Sequence, residues 1–280
     1  MSFLDRIATA NACEFDRFLP FDALGARIGW VRRDLVHRFA RYSPTLTVAA
    51  DRLRLDSSLD LPARRTAAMD MVARDLARQG LTDPWRGESY PVGTRFGETL
   101  FEIERAAASL FGIRTYGVHV VGYVEGPDGL RIWVPRRAKN RPTFPGLLDN
   151  TVAGGQPAGL SLTDNLIKEC DEEASIPPVL ALKARPVSAI TYNMADRFGV
   201  KSEAIFVYDL ALAPAFTPVN RDGEVEDFRL LPAAEAMALV EHGESFKFNC
   251  ALVLIDFFVR HGLITPAHPD YLAIISGLRQ

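Results

Sequence analysis

Two adjacent glycines followed by an acidic helix constrain this chain more than any other feature. Residues 154–155 are both glycine, and residues 163–174 read TDNLIKECDEEA. A helix turns about 100° per residue, so Glu169, Glu172 and Glu173 (the glutamate trio) share one narrow face. A separate face, apolar enough to contact a core, carries Leu166, Ile167, Cys170 and Ala174. Crowded carboxylates repel one another, and hard oxygen ligands suit Mg²⁺ or Mn²⁺. The pattern therefore indicates either a divalent metal site or a solvated acidic face.

Composition places few limits on the class of partner. The chain has 280 residues, enough for one large domain or two modest ones, and its net charge of −3 gives no basic excess of the kind that nucleic-acid binding requires. Cys13, Cys170 and Cys250 are far apart and lack metal-ligand spacing, which favours a reducing compartment. The amphipathic N-terminus does not resemble a signal peptide, and no apolar run has the length of a membrane span. We therefore expect a cytoplasmic protein that binds neither nucleic acid nor membrane.

The residue pattern changes near position 116 and predicts two regions. Residues 1–115 are expected to form a mostly helical N-terminal domain, and residues 116–280 an α/β domain. The predicted helices cover residues 3–13, 34–42, 61–79, 99–110, 163–174, 231–240 and 246–261. The predicted strands cover residues 118–124, 130–134, 147–153, 187–192 and 203–212, the first two forming a hairpin through a Gly-Pro-Asp-Gly turn.

The segment that follows the glycines resembles the Nudix box. That motif reads Gly, five residues, Glu, seven residues, Arg-Glu-apolar-x-Glu-Glu-x-Gly-apolar, and the glutamate trio matches its second half. Three positions depart from it: Leu160 stands for the first Glu, Lys168 for Arg, and Ser175 for the late Gly. If Gly155 is the opening glycine, the loop is also one residue short. The resemblance identifies the chain as similar to the Nudix hydrolases.

Further segments are similar to one group within that family, the Nudix proteins related to the domain fused to fungal thiamin pyrophosphokinase. These segments are residues 17–21 (RFLPF), 29–32 (GWVR), 149–155 (DNTVAGG), 168–175 (KECDEEAS) and 246–250 (FKFNC). The resemblance implies an α/β/α sandwich with a mixed sheet. It also implies Mg²⁺-dependent hydrolysis of a small diphosphate to its monophosphate, with thiamin diphosphate or its oxidised analogues favoured. Two alternatives stay open: a hydrolase of nucleoside diphosphate derivatives such as ADP-ribose or NADH, and a non-catalytic ligand-binding module.

The resemblance also implies roles for particular acidic residues. The glutamate trio would bind Mg²⁺ or Mn²⁺, with the carbonyl of Gly155 as a further ligand, and Glu172 and Glu173 would take part in catalysis. Glu224, in the acidic segment 222–227, matches the place of a further metal ligand or general base. The alternative for Glu224 is a polar turn ahead of a strand.

Substrate-binding residues are predicted less specifically. Arg137 and Lys139 follow a hairpin strand and Lys247 begins a helix, so each can contact a diphosphate. Tyr192 can stack on an aromatic ring of the substrate. A structural role is the alternative for all four. Residues 1–115 would help to shape the substrate pocket or form a subunit contact, and a homodimer is left open.

Overall fold

The computed structural model describes residues 2–141 and 143–280, and in it the N-terminal region combines helices with short strands. Its elements are α1 (Phe3–Ala10), β1 (Phe18–Ala23), β2 (Ala26–Arg32), α2 (Val36–Phe39), β3 (Leu46–Val48), β4 (Leu53–Leu55), α3 (Pro62–Arg78), β5 (Ser89–Val92) and β6 (Phe101–Glu104). The first four strands form a sheet in the order β2-β1-β4-β3, and β5 pairs antiparallel with β6. Helical residues outnumber strand residues here, but the four-stranded sheet was not predicted from the sequence.

The helix predicted over residues 99–110 is wrong. Residues 101–104 form β6, and a short 3₁₀ turn follows at Arg105–Ala107. Phe101 and Ile103 are both buried against the core around α3, and this two-residue spacing fits a strand. The alanines after residue 105 favour a helix by propensity, but pairing with β5 decides the local structure.

A six-stranded mixed sheet forms the centre of the C-terminal region. Its strands are β7 (Arg114–Gly126), β8 (Gly129–Arg137), β9 (Val152–Gly155), β10 (Arg185–Ala195), β11 (Val200–Ala211) and β12 (Val225–Pro232). The order is β10-β11-β7-β8-β12, with β9 paired to the first half of β7. β7 and β11 run parallel, and the other pairings are antiparallel. The predicted hairpin is β7–β8, whereas the predicted strand over 147–153 starts later, at Val152.

Helices cover both faces of this sheet and give the predicted α/β/α sandwich. On one face lie α4 (Leu162–Ala174) and α5 (Pro178–Ala181). On the other lie α6 (Ala233–His242), α7 (Phe248–Arg260) and α8 (Tyr271–Gly277). α1 also packs against α7 and α8, so the first helix of the chain completes the core of the C-terminal region. Within the described residues, none of the helices combines the length and the apolar character needed to span a bilayer.

Candidate active site

A cavity of about 290 Å³ lies between the N-terminal region and the central sheet. From the C-terminal region its lining takes the glutamate trio, Gly155, Glu224, Arg137 and Lys247, all of which were predicted as site residues. From the N-terminal region it takes Glu88, Tyr90 and Arg105, which were not. Eight carboxylates and seven cationic side chains thus line the same cavity.

The local sequence holds α4 in place at both ends. The Ser161 hydroxyl accepts a hydrogen bond from the Asp164 amide at 3.1 Å, which caps the first turn. Leu166, Cys170 and Ala174 are buried against the sheet. The helix ends at Ser175, whose φ of 51° and ψ of 34° lie in the left-handed region. Glycine adopts this conformation without strain, which is a physical reason for the late glycine of the Nudix box.

The missing side chain of Gly154 makes room for a carboxylate. A Cβ atom on Gly154 would lie 2.2 Å from Cδ of Glu169. Burial raises the pKa of Glu169, and the neighbouring Glu172 raises it further, against the opposing effect of Lys168. Burial also raises the pKa of Glu173, and the negative charges of Glu169 and Asp149 add to this effect. The buried face therefore holds more carboxyl groups than its surroundings favour in the ionised form, which is the condition under which a bound cation would be favourable.

The carboxylates are engaged by groups of the protein itself. Lys168 Nζ lies 3.0 Å from Glu169 Oε1 and 2.9 Å from Glu172 Oε2. The Ala153 amide donates to Glu173 Oε2 at 2.8 Å. Among residues 2–141 and 143–280, no three Asp, Glu, His or Cys side chains already converge as a metal site. The donor set fits a divalent ion, which would compete with Lys168 for Glu169 and Glu172.

The loop before α4 is closed by amides rather than by the acid that the Nudix box has at position 160. Gln156 Nε2 donates to the Leu160 carbonyl at 2.8 Å, and Leu160 itself is exposed. Asn165 Nδ2 donates to the Gly155 carbonyl at 2.8 Å and to Gln156 Oε1 at 3.1 Å. The Gly155 carbonyl, predicted as a metal ligand, therefore keeps a single lone pair for any such contact.

Glu224 and Arg137 lie at the cavity in different electrostatic settings. Glu224 pairs with Arg141 and is about one-third exposed. Arg137 is buried and forms an ion pair with Asp149 at 2.7 Å, with Lys247 Nζ 3.9 Å from the same carboxylate. Burial alone would raise the pKa of Asp149, but Lys247 and Arg137 hold it at about 2. Arg137 and Lys247 thus place two positive charges at the base of the cavity, and Asp149 neutralises one of them.

Two predicted substrate contacts lie outside the cavity. Lys139 is exposed and lies 3.7 Å from Glu226, so its placement indicates a surface ion pair. Tyr192 is fully buried under the sheet and hydrogen-bonds to Glu203, which leaves no free ring face for the predicted stacking. Glu203 was missed by the sequence analysis, although it lines the cavity. Its signal is an acidic residue near the start of β11, a strand that is otherwise mostly apolar.

The cavity also has an aromatic corner, which we define as Phe144 and Phe248. Their ring centroids are 5.8 Å apart, and both side chains are partly buried in the cavity lining. Lys201 Nζ lies 5.9 Å from each ring. This corner offers an apolar surface with a nearby positive charge to a ring of a bound molecule.

Each of the two regions matches a known protein family. A family model described as a domain of unknown function (DUF4743) matches residues 2–115, and one described as a NUDIX domain matches residues 115–251. Two Arabidopsis thaliana proteins, named Nudix hydrolase 24, chloroplastic, and Nudix hydrolase 20, chloroplastic, are 38% and 37% identical to the chain; each alignment covers 99% of the chain and 77% of the relative. The crystal structure of DR0079 from Deinococcus radiodurans is similar with a TM-score of 0.50 and 22% identity, over 61% of this chain and 100% of that one. That similarity concerns the fold alone.

Proposed function

Because the chain belongs to the Nudix hydrolase family, we propose that it is a Mg²⁺-dependent enzyme that hydrolyses a small diphosphate to its monophosphate. The observation that carries this proposal is the shared cavity, in which the glutamate trio faces cationic side chains and an aromatic corner. Mn²⁺ would serve in place of Mg²⁺, since both accept hard oxygen ligands.

The residues divide into three roles. Glu169, Glu172 and Glu173 would hold the divalent ion, which would neutralise charge on the diphosphate and activate water for attack. Glu224 orients or deprotonates the attacking water from the loop before β12. Arg137 supplies positive charge to the leaving phosphate from the floor of the cavity.

Glu203 is a second candidate for the general base. Burial alone would raise its pKa, but Lys201 and the Tyr192 hydroxyl lower it, so that the carboxylate is ionised. An ionised carboxylate at the cavity can accept a proton from water, but its lowered pKa makes it a weaker base than a carboxylate whose pKa lies nearer the working pH. Comparing the kcat of Glu203→Gln with that of Glu224→Gln separates the two, because the true base shows the larger loss.

Thiamin diphosphate and its oxidised analogues are the substrates that we favour. The sequence resemblance described above supports this choice, and so does the aromatic corner, which suits a ring joined to a diphosphate. At about 290 Å³ the cavity lies at the small end of ligand sites, which favours a compact diphosphate over a dinucleotide such as NADH. Cytoplasmic localisation stays a prediction, and both Arabidopsis relatives are named as chloroplastic.

The test is a hydrolysis panel with Mg²⁺ or Mn²⁺ that measures phosphate and monophosphate products. Its substrates are thiamin diphosphate, oxothiamin diphosphate, ADP-ribose and NADH. We expect turnover of the thiamin compounds that is lost with EDTA and in Glu173→Gln. Turnover that survives both treatments would exclude the proposed metal chemistry. Faster turnover of ADP-ribose or NADH would favour the nucleotide alternative, and Mg²⁺ titration without heat or turnover would favour a binding module.

A further inference from the structure

The strand β5 is fixed directly against the loop that precedes the acidic helix. The Ala158 amide donates to the Ser89 carbonyl at 2.8 Å, which joins the N-terminal region to that loop through the backbone. A Cβ atom on Gly155 would lie 2.0 Å from the Tyr90 hydroxyl oxygen. The absence of a side chain at Gly155 therefore leaves room for the Tyr90 hydroxyl. The N-terminal region and the C-terminal region meet here, at the edge of the cavity.

The Tyr90 hydroxyl reaches the cavity without a partner. Tyr90 is 5% exposed and lines the cavity, and its hydroxyl has no hydrogen-bond partner among residues 2–141 and 143–280. The ring is buried, but the hydroxyl oxygen opens onto the cavity and keeps its donor for a ligand. Its position at the cavity means that a bound molecule can accept this hydrogen bond.

Arg105 lies beside Tyr90 and has unused donors. Its guanidinium carbon lies 5.6 Å from the centre of the Tyr90 ring, and Nη1 contacts Glu88 Oε2 at 2.8 Å. In the described part of the chain this is the sole hydrogen bond that its guanidinium makes. The side chain is 50% exposed, so the remaining N–H groups are open to the cavity. A guanidinium with free donors on one edge matches the geometry of phosphate oxygens.

Three other cationic side chains of the cavity are engaged by carboxylates, whereas Arg86 and Lys201 form no ion pair within the described residues. Arg137 pairs with Asp149, Arg141 with Glu224, and Lys168 with two members of the glutamate trio. A diphosphate can therefore gain further donors from side chains whose N–H or O–H groups are not all taken up within the protein. The N-terminal region presents two at the same cavity.

We propose that the Tyr90 hydroxyl and the Arg105 guanidinium bind the diphosphate of the substrate, so that the N-terminal region supplies part of the active site. The inference rests on the proposed diphosphate hydrolysis for its ligand class. It assigns residues 2–115 a substrate-binding role, and it makes the C-terminal region alone an incomplete site.

The test measures binding of methylenediphosphonate, a diphosphate mimic that is not hydrolysed, by calorimetry of the full chain in Mg²⁺. Arg105→Ala is expected to weaken binding about 10- to 100-fold, the usual range for a hydrogen bond to a charged group. Tyr90→Phe keeps the ring and is expected to weaken binding about 2- to 10-fold. Arg64→Ala, which removes an exposed arginine paired with Asp60 elsewhere in the same region, is the matched control and is expected to bind as the wild type does.

Glu88→Gln separates ligand binding from a structural ion pair. It removes the acidic partner of Arg105 and leaves the guanidinium to the ligand, so binding is expected to be unchanged or tighter. Loss of affinity in Glu88→Gln as large as in Arg105→Ala would overturn the inference. Wild-type affinity in both Arg105→Ala and Tyr90→Phe, or no binding by the wild type, would also overturn it. Binding that follows the expected pattern, without turnover of any diphosphate in the hydrolysis panel, supports the inference and rejects the proposed function.

Discussion

Gly154→Ala tests whether the space beside the acidic helix exists to position Glu169. The new Cβ would lie 2.2 Å from Cδ and 2.4 Å from Cγ of Glu169. Carbon atoms in ordinary contact are about 3.5–4 Å apart, so the carboxylate carbon must move by more than about 1 Å. Mg²⁺ requires ligand distances of about 2.0–2.1 Å in a nearly ideal octahedron, and a carboxylate displaced this far no longer fits it.

Two quantities are expected to respond differently. The atoms in collision belong to a flexible side chain, so unfolding free energy should change by about 1 kcal/mol or less, the cost of an off-rotamer side chain. Mg²⁺ affinity should fall about 10- to 100-fold, at least the loss caused by removing a group that orients a ligand. This corresponds to about 1.4–2.7 kcal/mol of binding free energy.

The assays are Mg²⁺ titration by calorimetry and thermal unfolding in EDTA. Gly126→Ala is the control, because the nearest atom to its Cβ is Arg131 Nη2 at 3.7 Å, an ordinary contact far from the cavity. Glu169 would not be a ligand if Gly154→Ala binds Mg²⁺ within about two-fold of the wild-type affinity, in a titration whose error is smaller than two-fold. An equal loss in Gly126→Ala would refute the steric reasoning.

Three further predictions concern stability. Burial raises the pKa of Glu173, so the folded protein holds a proton that the unfolded chain releases near pH 4.5. The melting temperature in EDTA should therefore fall as pH rises above this value, and it should fall less in Glu173→Gln. The same dependence of melting temperature on pH in both proteins from pH 5 to 8 would contradict this. The pKa of Asp149 is lowered to about 2 from the usual 3.8, which contributes about 2 kcal/mol to the free energy of unfolding; this contribution is present above pH 4 and lost toward pH 2. Asp149→Asn should lower the free energy of unfolding by more, about 3–5 kcal/mol measured with urea, because it leaves Arg137 buried without its partner. Ser175→Gly relieves the left-handed φ of 51°, worth about 1–2 kcal/mol, and loses the hydroxyl hydrogen bond to the Val219 carbonyl, worth about 0.5–1.5 kcal/mol. The net gain of about 0.5 kcal/mol should raise the melting temperature slightly, and a lower melting temperature would show that the hydrogen bond dominates.

The acidic helix could be predicted because its information is local. Spacing of three and four residues places the glutamate trio on one face whatever the helix packs against, and the apolar face follows from the same periodicity. The β7–β8 hairpin and α7 were also predicted correctly, from turn residues and apolar runs. The mixed sheet and the α/β/α layers came instead from the resemblance to a family, since strand order depends on distant pairing.

The parts that failed depend on contacts between distant segments. β6 was predicted as a helix because its pairing with β5 is invisible in its own residues. Tyr90 and Arg105 reach the cavity through backbone pairing with the loop before α4, which no local pattern indicates. Tyr192 and Glu203 lie directly opposite each other on β10 and β11 and share one face of the sheet, yet Glu203 lines the cavity and Tyr192 is buried by other elements. Sequence alternation gives the two faces of a strand but does not say which one meets a ligand.

The departures from the Nudix box fall at positions where another group can perform the physical task. Gln156 and Asn165 close the loop that an acid at position 160 would otherwise brace. Ser175 still adopts the left-handed conformation that ends α4, and Lys168 still places a positive charge between two glutamates. No amide or hydroxyl can replace the negative charge of the glutamate trio at a divalent ion, and there the chain keeps every carboxylate. The substitutions therefore fall at positions where the proposed metal site would tolerate them, and the three glutamates that the proposed function requires are all present.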